Sequence, residues 1–424
     1  MNQFVFLVLM AAFFADTLYQ GKLYTGIVGL TIPNVAMYLT VIILISVAIV
    51  RGQLGKIRIP GMPFLVVILM AVTLSLIYTG LAGDLRINLI EKLRYAKSFV
   101  VEPILLYSIS FLFVQNRSQG FRFLAIYCAV IGVLNMLTLA GAELNIALFS
   151  QESFYSSGGR FAGFSGNPNK TAYVLCVSMA FQYFFMKHYK SKFIKIIFGV
   201  LMLCSVGTMI ISGSRGGVVG LFILWFMLLY IWRDYKLLLA LPVILLPAFI
   251  SLMLVAGNEA ILAALNRFAE VGGGDVFAAT AGRSEIWVAL LEHYMSSGIG
   301  ILIGSGFGVA EFFGIGARAH NMYLQMLVEF GAIGFIFWMF MLVKALRFVA
   351  KMRSTDEVME RFRQTILTSM CVVMAAWVFS SMAGVLQLLG LLFGLSVATL
   401  MCKQKSARAI KGSDLLPKNW TDQK

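Results

Sequence analysis

Charge is what this sequence has least of. Only 12% of its 424 residues are Asp, Glu, Lys or Arg, about half the share of an ordinary soluble domain. That shortage excludes a disordered chain and a charged coiled coil. Histidine occurs 3 times and cysteine 5 times. Cys128, Cys176, Cys204, Cys371 and Cys402 fall in or beside apolar runs, with no disulfide framework and no metal-ligand spacing. His188, His293 and His320 are too scattered for a histidine metal site. No metal-binding or cofactor-binding motif is read from these residues. A Walker P-loop and a dinucleotide-binding glycine motif are also missing, as is any stretch that reads as a soluble domain.

What the sequence does have is apolar length. Hydrophobic residues make up 60%, and the mean hydropathy is +0.88. A hydrocarbon core of about 30 Å takes ~20 apolar residues per helix, and such runs recur throughout. The pattern predicts an all-α, polytopic membrane protein of about twelve spans. They fall at 3–19, 33–50, 62–81, 98–114, 122–142, 171–187, 193–212, 217–232, 237–256, 321–343, 366–382 and 384–401. The N-terminus, MNQFVFLVLMAAFFADTLYQ, has neither a basic leader nor a small-residue cleavage site, and reads as a retained first helix.

A net charge of +15 would suit a nucleic-acid binder, but its distribution points to membrane topology instead. With the N-terminus inside, the cytoplasmic segments 51–61, 115–122, 187–195, 233–236, 344–365 and 402–424 hold 23 of the 34 basic residues. This satisfies the positive-inside rule and predicts both termini in the cytoplasm. The chain divides into one membrane domain, 1–402, and a polar cytoplasmic tail, 403–424. Residues 84–97 (DLRINLIEKLRYAK) disturb the pattern with four external basic residues. Leu85, Leu89, Leu93 and Ala96 share a helical face there, which predicts an external amphipathic helix leading into the fourth span. Either its basic residues have a task outside, or the topology differs at that point.

Two external segments exceed simple turns, 144–170 and 257–320, the latter between the ninth and tenth spans. Within the second, Ile286, Trp287, Leu290, Leu291 and Tyr294 recur at helical spacing and predict an amphipathic helix at the membrane surface. The turn Ser212-Gly213-Ser214-Arg215-Gly216-Gly217 joins two apolar runs. Free backbone N–H groups, a helix N-terminus and a guanidinium together suit a phosphate or diphosphate. The same residues also read as a tight turn with a snorkelling arginine. Arg283 is either a second anion contact or a helix-end partner of Glu285. Arg160 stands in a glycine-rich turn ahead of Gly166-Asn167-Pro168-Asn169. His320, followed by Asn321, is either a general base at the membrane boundary or a cap for the tenth span. Arg318 would share the anion or anchor the helix. Glu329 is an intramembrane carboxylate, either functional or paired with a buried arginine. His188 and His293 read as surface residues. Arg160, Arg215, Arg283 and His320 all fall on one side of the membrane in this topology. A substrate there has no nucleotide supply and must carry its own activated leaving group.

At these residues the chain resembles the O-antigen ligase and polymerase family of bacterial envelope glycosyltransferases. The resemblance rests on RFAGFSGNPN (160–169), SGSRGG (212–217), GRSEIW (282–287) and HNMYLQMLVEFGAIG (320–334), and extends over about 120–400. It implies a GT-C-like helical fold in the bacterial inner membrane, with the site on the periplasmic side and the 257–320 loop in catalysis. The donor would be a glycan on undecaprenyl diphosphate. The acceptor would be a lipid-linked repeat unit in a polymerase, or the lipid A core in a ligase. Chain-length regulator and flippase proteins would be further partners. Arg215 and Arg283 would hold the diphosphate, with Arg160 and Arg318 beside them. His320 would be the catalytic base, and Ser214, Gly216, Asn321 and Glu329 would support the site. A polymerase is the preferred reading, because no motif marks a lipid A core acceptor. A ligase, a protein oligosaccharyltransferase and, from another class, a secondary transporter or lipid flippase are the alternatives. A transporter should show inverted repeats and midplane charges. Here no repeat is evident, and the suspicious residues gather at one face.

Overall fold

The structure, a computed structural model, describes residues 6, 8, 10–11, 31–50, 58–81, 89–144, 161–236, 283–309, 319–378 and 386–413. The expected span 237–256 and the candidates Arg160 and Arg318 lie outside them. The described residues form helices and no strand. In chain order these are α1 (Ile32–Val50), α2 (Met62–Leu81), α3 (Leu89–Ala96), α4 (Glu102–Phe113), α5 (Arg117–Leu144), α6 (Pro168–His188), α7 (Lys192–Ile211) and α8 (Arg215–Trp232). Further along the chain come α9 (Arg283–Ser296), the single turn α10 (Gly300–Ile303), α11 (Met322–Lys351), α12 (Glu357–Ala376) and α13 (Leu386–Ser413). Among the described residues, five stretches are long and apolar enough to cross a membrane: Ile90–Phe113, Arg117–Gly141, Lys192–Ile211, Arg215–Trp232 and Met322–Lys351. Shorter apolar helices accompany them, and the protein is a multi-pass membrane protein.

Lipid offers no hydrophobic drive to press helices together, so close packing needs small residues at the contact. Gly390 and Gly394, four apart on α13, supply it: a β-carbon at either would collide with the α4 backbone at Pro103 or Tyr107. Gly217 and Gly220 let α8 close on Ala172 and Cys176 of α6 in the same way. Polar cross-links add to this packing. Gln182 of α6 donates to the Cys128 carbonyl of α5 at 3.0 Å. Glu102, fully buried, receives the Lys97 ammonium at 3.2 Å and a hydrogen bond from Gln387.

Three details differ from the sequence expectation. Residues 89–96 form the expected helix leading into the fourth span, but with a different face inward. They run through a π-helical turn, Lys97–Val101, straight into α4. The inward residues are Lys92 (3% exposed) and Ala96, while Leu93 is 50% exposed. A leucine loses nothing by facing acyl chains, whereas a charge must turn toward polar partners. Second, α11 continues to Lys351 and is broken inside at Gly331. Third, α12 begins at Glu357, well before the apolar run at 366, and α13 continues past 402 to Ser413.

One end of the bundle is rich in ion pairs. There Arg117 meets Asp356 at 2.7 Å, Lys187 meets Asp234 at 2.7 Å, and Arg361 donates to the Trp232 carbonyl at 2.6 Å. His188 belongs to this end, stacked on Phe184. The opposite end carries the 212–217 turn.

Candidate active site

α7 ends where the Ser212 hydroxyl folds back to donate to the Met209 carbonyl at 2.8 Å. Gly213 then turns the chain with φ +55°, a conformation that only glycine adopts without steric cost. Ser214 caps α8: its hydroxyl oxygen accepts the Gly217 N–H at 3.0 Å. The same hydroxyl donates to Asn169 Oδ1 at 2.7 Å. Asn169 lies in the first turn of α6, which is capped by Asn167. Two helix N-termini are thus fastened side by side, and both direct partial positive charge to the same place. Arg215, the first residue of α8, is half-buried there, beside the buried Gly216. The GFSGNPN turn is folded onto α6 by Thr171, whose hydroxyl donates to the Ala162 carbonyl at 2.6 Å.

Arg283 opens α9 and is half-buried. Its charge acts on the hydroxyl of Tyr173, one turn below Asn169 on α6. α9 packs Leu290 and Tyr294 against Ala319 and Val328. Of the expected apolar face, Leu291 is turned out, 42% exposed. Trp287 donates its indole N–H to the Ala319 carbonyl at 2.8 Å, which fixes the residue before His320. On the other side Asn321 caps α11, accepting the Leu324 N–H at 3.0 Å. The Met322 N–H reaches the Trp377 carbonyl at 2.8 Å. Between these anchors His320 adopts φ +48°. A left-handed residue other than glycine costs roughly 1–3 kcal/mol and persists only where its surroundings hold it.

Glu329 is fully buried lower on α11. Its Oε1 accepts from Gln325 Nε2 at 3.1 Å, and that amide also donates to the Tyr95 hydroxyl of α3 at 2.6 Å. Just below, Gly331 breaks the helix at φ +66°. The break leaves the Val328 and Glu329 carbonyls to accept the N–H groups of Ser305 (2.8 Å) and Gly306 (3.1 Å). Non-helical backbone at such depth is tolerated when protein satisfies it, as this interlock does.

Hydrogen bonds from Ser214 to Asn169 and from Trp287 to Ala319, with the charge of Arg283 acting across the space between them on Tyr173, form a relay between the segments that carry Arg215, Arg283 and His320. Asn169, Tyr173 and Trp287 went unread as working residues. Asn169 has a signal in the Asn-Pro-Asn turn, and Trp287 in its helical stripe. Tyr173 has none beyond its place one turn after Asn169. His293 sits half-buried on α9.

Comparison with known proteins falls on the same segments. Residues 200–339 match the family model of the O-antigen ligase. The match takes in SGSRGG, GRSEIW and the His320 stretch, and is narrower than the expected 120–400, so RFAGFSGNPN lies outside it. No curated protein matches the chain. Over residues 200–339 the chain is thus similar to the O-antigen ligase family.

Proposed function

We propose that this protein is a glycosyltransferase working at the periplasmic face of the bacterial inner membrane, with both termini in the cytoplasm. It moves a glycan from undecaprenyl diphosphate to an acceptor hydroxyl, as a surface-polysaccharide polymerase whose acceptor is the next lipid-linked repeat unit. The observation that carries this reading is the relay joining the 214–217 turn, the start of α9 and the strained His320. In this reading it brings the arginines and the candidate base to bear on one substrate.

The chemistry follows from those groups. The acceptor oxygen attacks the anomeric carbon of the donor, and His320 takes the proton from that hydroxyl. The bond from the anomeric carbon to the diphosphate oxygen breaks, and the electron pair leaves with undecaprenyl diphosphate. Arg215 and Arg283 meet the negative charge as it grows on that leaving group, assisted by the α6 and α8 N-termini and, in the same reading, by Arg160 and Arg318. Preorganised donors of this kind are worth about 2.7–4 kcal/mol each. Ser214, Gly216 and Asn321 shape the turns that present these groups, and Glu329 steadies the α11 break. The guanidinium groups take the place a metal holds in other phosphate sites. The match to the O-antigen ligase model favours a second reading, in which the acceptor is the lipid A core.

Two experiments test this. His320→Ala should fold normally and transfer no glycan; full transfer would remove the general base from the mechanism. Deleting the protein should leave single repeat units on the surface core if it is a polymerase. A bare core with long glycans piling up on the lipid carrier would mean a ligase. Unchanged surface glycans would remove both readings.

A further inference from the structure

Tyr173 is the one residue of the relay with no structural account. It is fully buried, and its hydroxyl has no hydrogen-bond partner among the described residues. Leaving a buried hydroxyl unpaired costs roughly 1–3 kcal/mol, and phenylalanine in its place would avoid that cost with the same packing. The surroundings make the omission more pointed. One turn above, Asn169 is tied to Ser214 at the α8 N-terminus. The ring lies on the face of α8 opened by Gly220, where an added β-carbon would sit 3.9 Å from Cδ1 of Tyr173. The charge of Arg283 reaches the same hydroxyl. A neutral donor thus waits beneath two helix N-termini, between the segments that bear Arg215 and Arg283.

We propose that the Tyr173 hydroxyl is a diphosphate contact, donating a hydrogen bond to a phosphate oxygen of the lipid-linked donor. This deepens the glycosyltransferase reading and rests on it. A neutral donor serves here in a way a third arginine would not. It strengthens the grip on the phosphate without adding an uncompensated buried charge to the empty site. Because the hydroxyl is shut off from solvent, its bond forms only when substrate displaces what covers it. The contact then takes place in a dry environment, where a charge-assisted hydrogen bond is strong.

The test compares Tyr173→Phe, Arg215→Ala and Arg283→Ala in the full-length, detergent-solubilised protein. Binding of undecaprenyl diphosphate, glycan transfer and thermal unfolding are measured on each. A hydrogen bond to a charged group corresponds to about 10- to 100-fold, so Y173F should bind undecaprenyl diphosphate that much more weakly. Its Tm should be equal to the parental value or higher, since an unpaired buried hydroxyl has been removed. Parental binding by Y173F beside weakened binding by the arginine variants would overturn the Tyr173 contact and leave the reading beneath it standing. Parental binding and transfer by all three would overturn the reading itself. A lowered Tm in Y173F would make the hydroxyl a packing element and also overturn the contact.

Discussion

The indole of Trp287 holds the carbonyl of Ala319 at 2.8 Å, one residue before a histidine at φ +48°. Through that bond the orientation of α9 sets the backbone that presents His320. Trp287→Phe keeps an aromatic ring in the packing and removes the donor. With the anchor gone, His320 can relax toward ordinary dihedrals, and a displacement of about 1 Å can cost roughly 100-fold in rate. Transfer by W287F should fall about 10- to 100-fold, mostly in kcat, with little change in the KM for the lipid-linked donor. Parental kcat would mean that the indole bond has no part in placing the base.

Ser214 does two things with one hydroxyl: it caps α8 and fastens α8 to Asn169 of α6. Ser214→Ala removes both. Loss of a cap alone costs about 1 kcal/mol, and the lost tie between helices adds to it. Thermal unfolding of S214A should begin at lower temperature, and donor binding should weaken as well. Asn169→Ala removes only the tie, so its Tm should lie between those of S214A and the parent. An unchanged Tm in S214A would exclude the capping role.

The legibility of this molecule in its sequence divides along physical lines. The 212–217 turn was readable because glycine and serine between two apolar runs leave few backbone choices, and the helix break and cap follow from them. α9 was readable from its stripe, apart from Leu291, because an apolar helix face in a membrane protein turns to protein or to lipid at equal cost. The same ambiguity inverted the reading of 89–96, where Lys92 is inside and Leu93 outside. Hydrophobic periodicity locates a core in water, but in a bilayer the polar residues locate it. The break in α11 was hidden for a different reason. Gly331 stands in Glu-Phe-Gly-Ala-Ile-Gly, and only the Gly304–Gly306 segment, distant in sequence, reveals which glycine bends.

That interlock gives a sharp prediction. Gly331 has φ +66° and ψ −175°, a region that is essentially glycine's alone. A β-carbon there would overlap the backbone of Leu302 and Gly304, and the backbone cannot swing aside as a flexible side chain can. Gly331→Ala should therefore destabilise by about 3 kcal/mol or more, from dihedral strain plus collision. Gly199→Ala is the control. A β-carbon there meets nothing within 4 Å, and the residue lies inside the regular helix α7. Thermal unfolding of both variants checks this, and equal losses would mean that the break is not what the interlock requires.

Acid should reach the fold first at the far end. Glu360, in the first turn of α12, is held below the ordinary carboxyl value of 4.5 chiefly by the hydrogen-bonded Arg363 side chain, which outweighs the opposing effect of burial. A carboxyl whose pKa is depressed on folding stabilises the fold at pH above its unfolded value. That contribution fades as pH drops below 4.5 and is gone once pH passes beneath the folded value. Glu360→Gln removes the titration while keeping the shape. Near neutral pH the variant should unfold at a lower temperature than the parent. As the pH is lowered through the carboxyl range the two curves should converge, because the parent loses what the variant never had. Tm measured against pH on both proteins checks this, and a gap that stays constant into acid would show that the Glu360–Arg363 pair contributes by shape and not by charge.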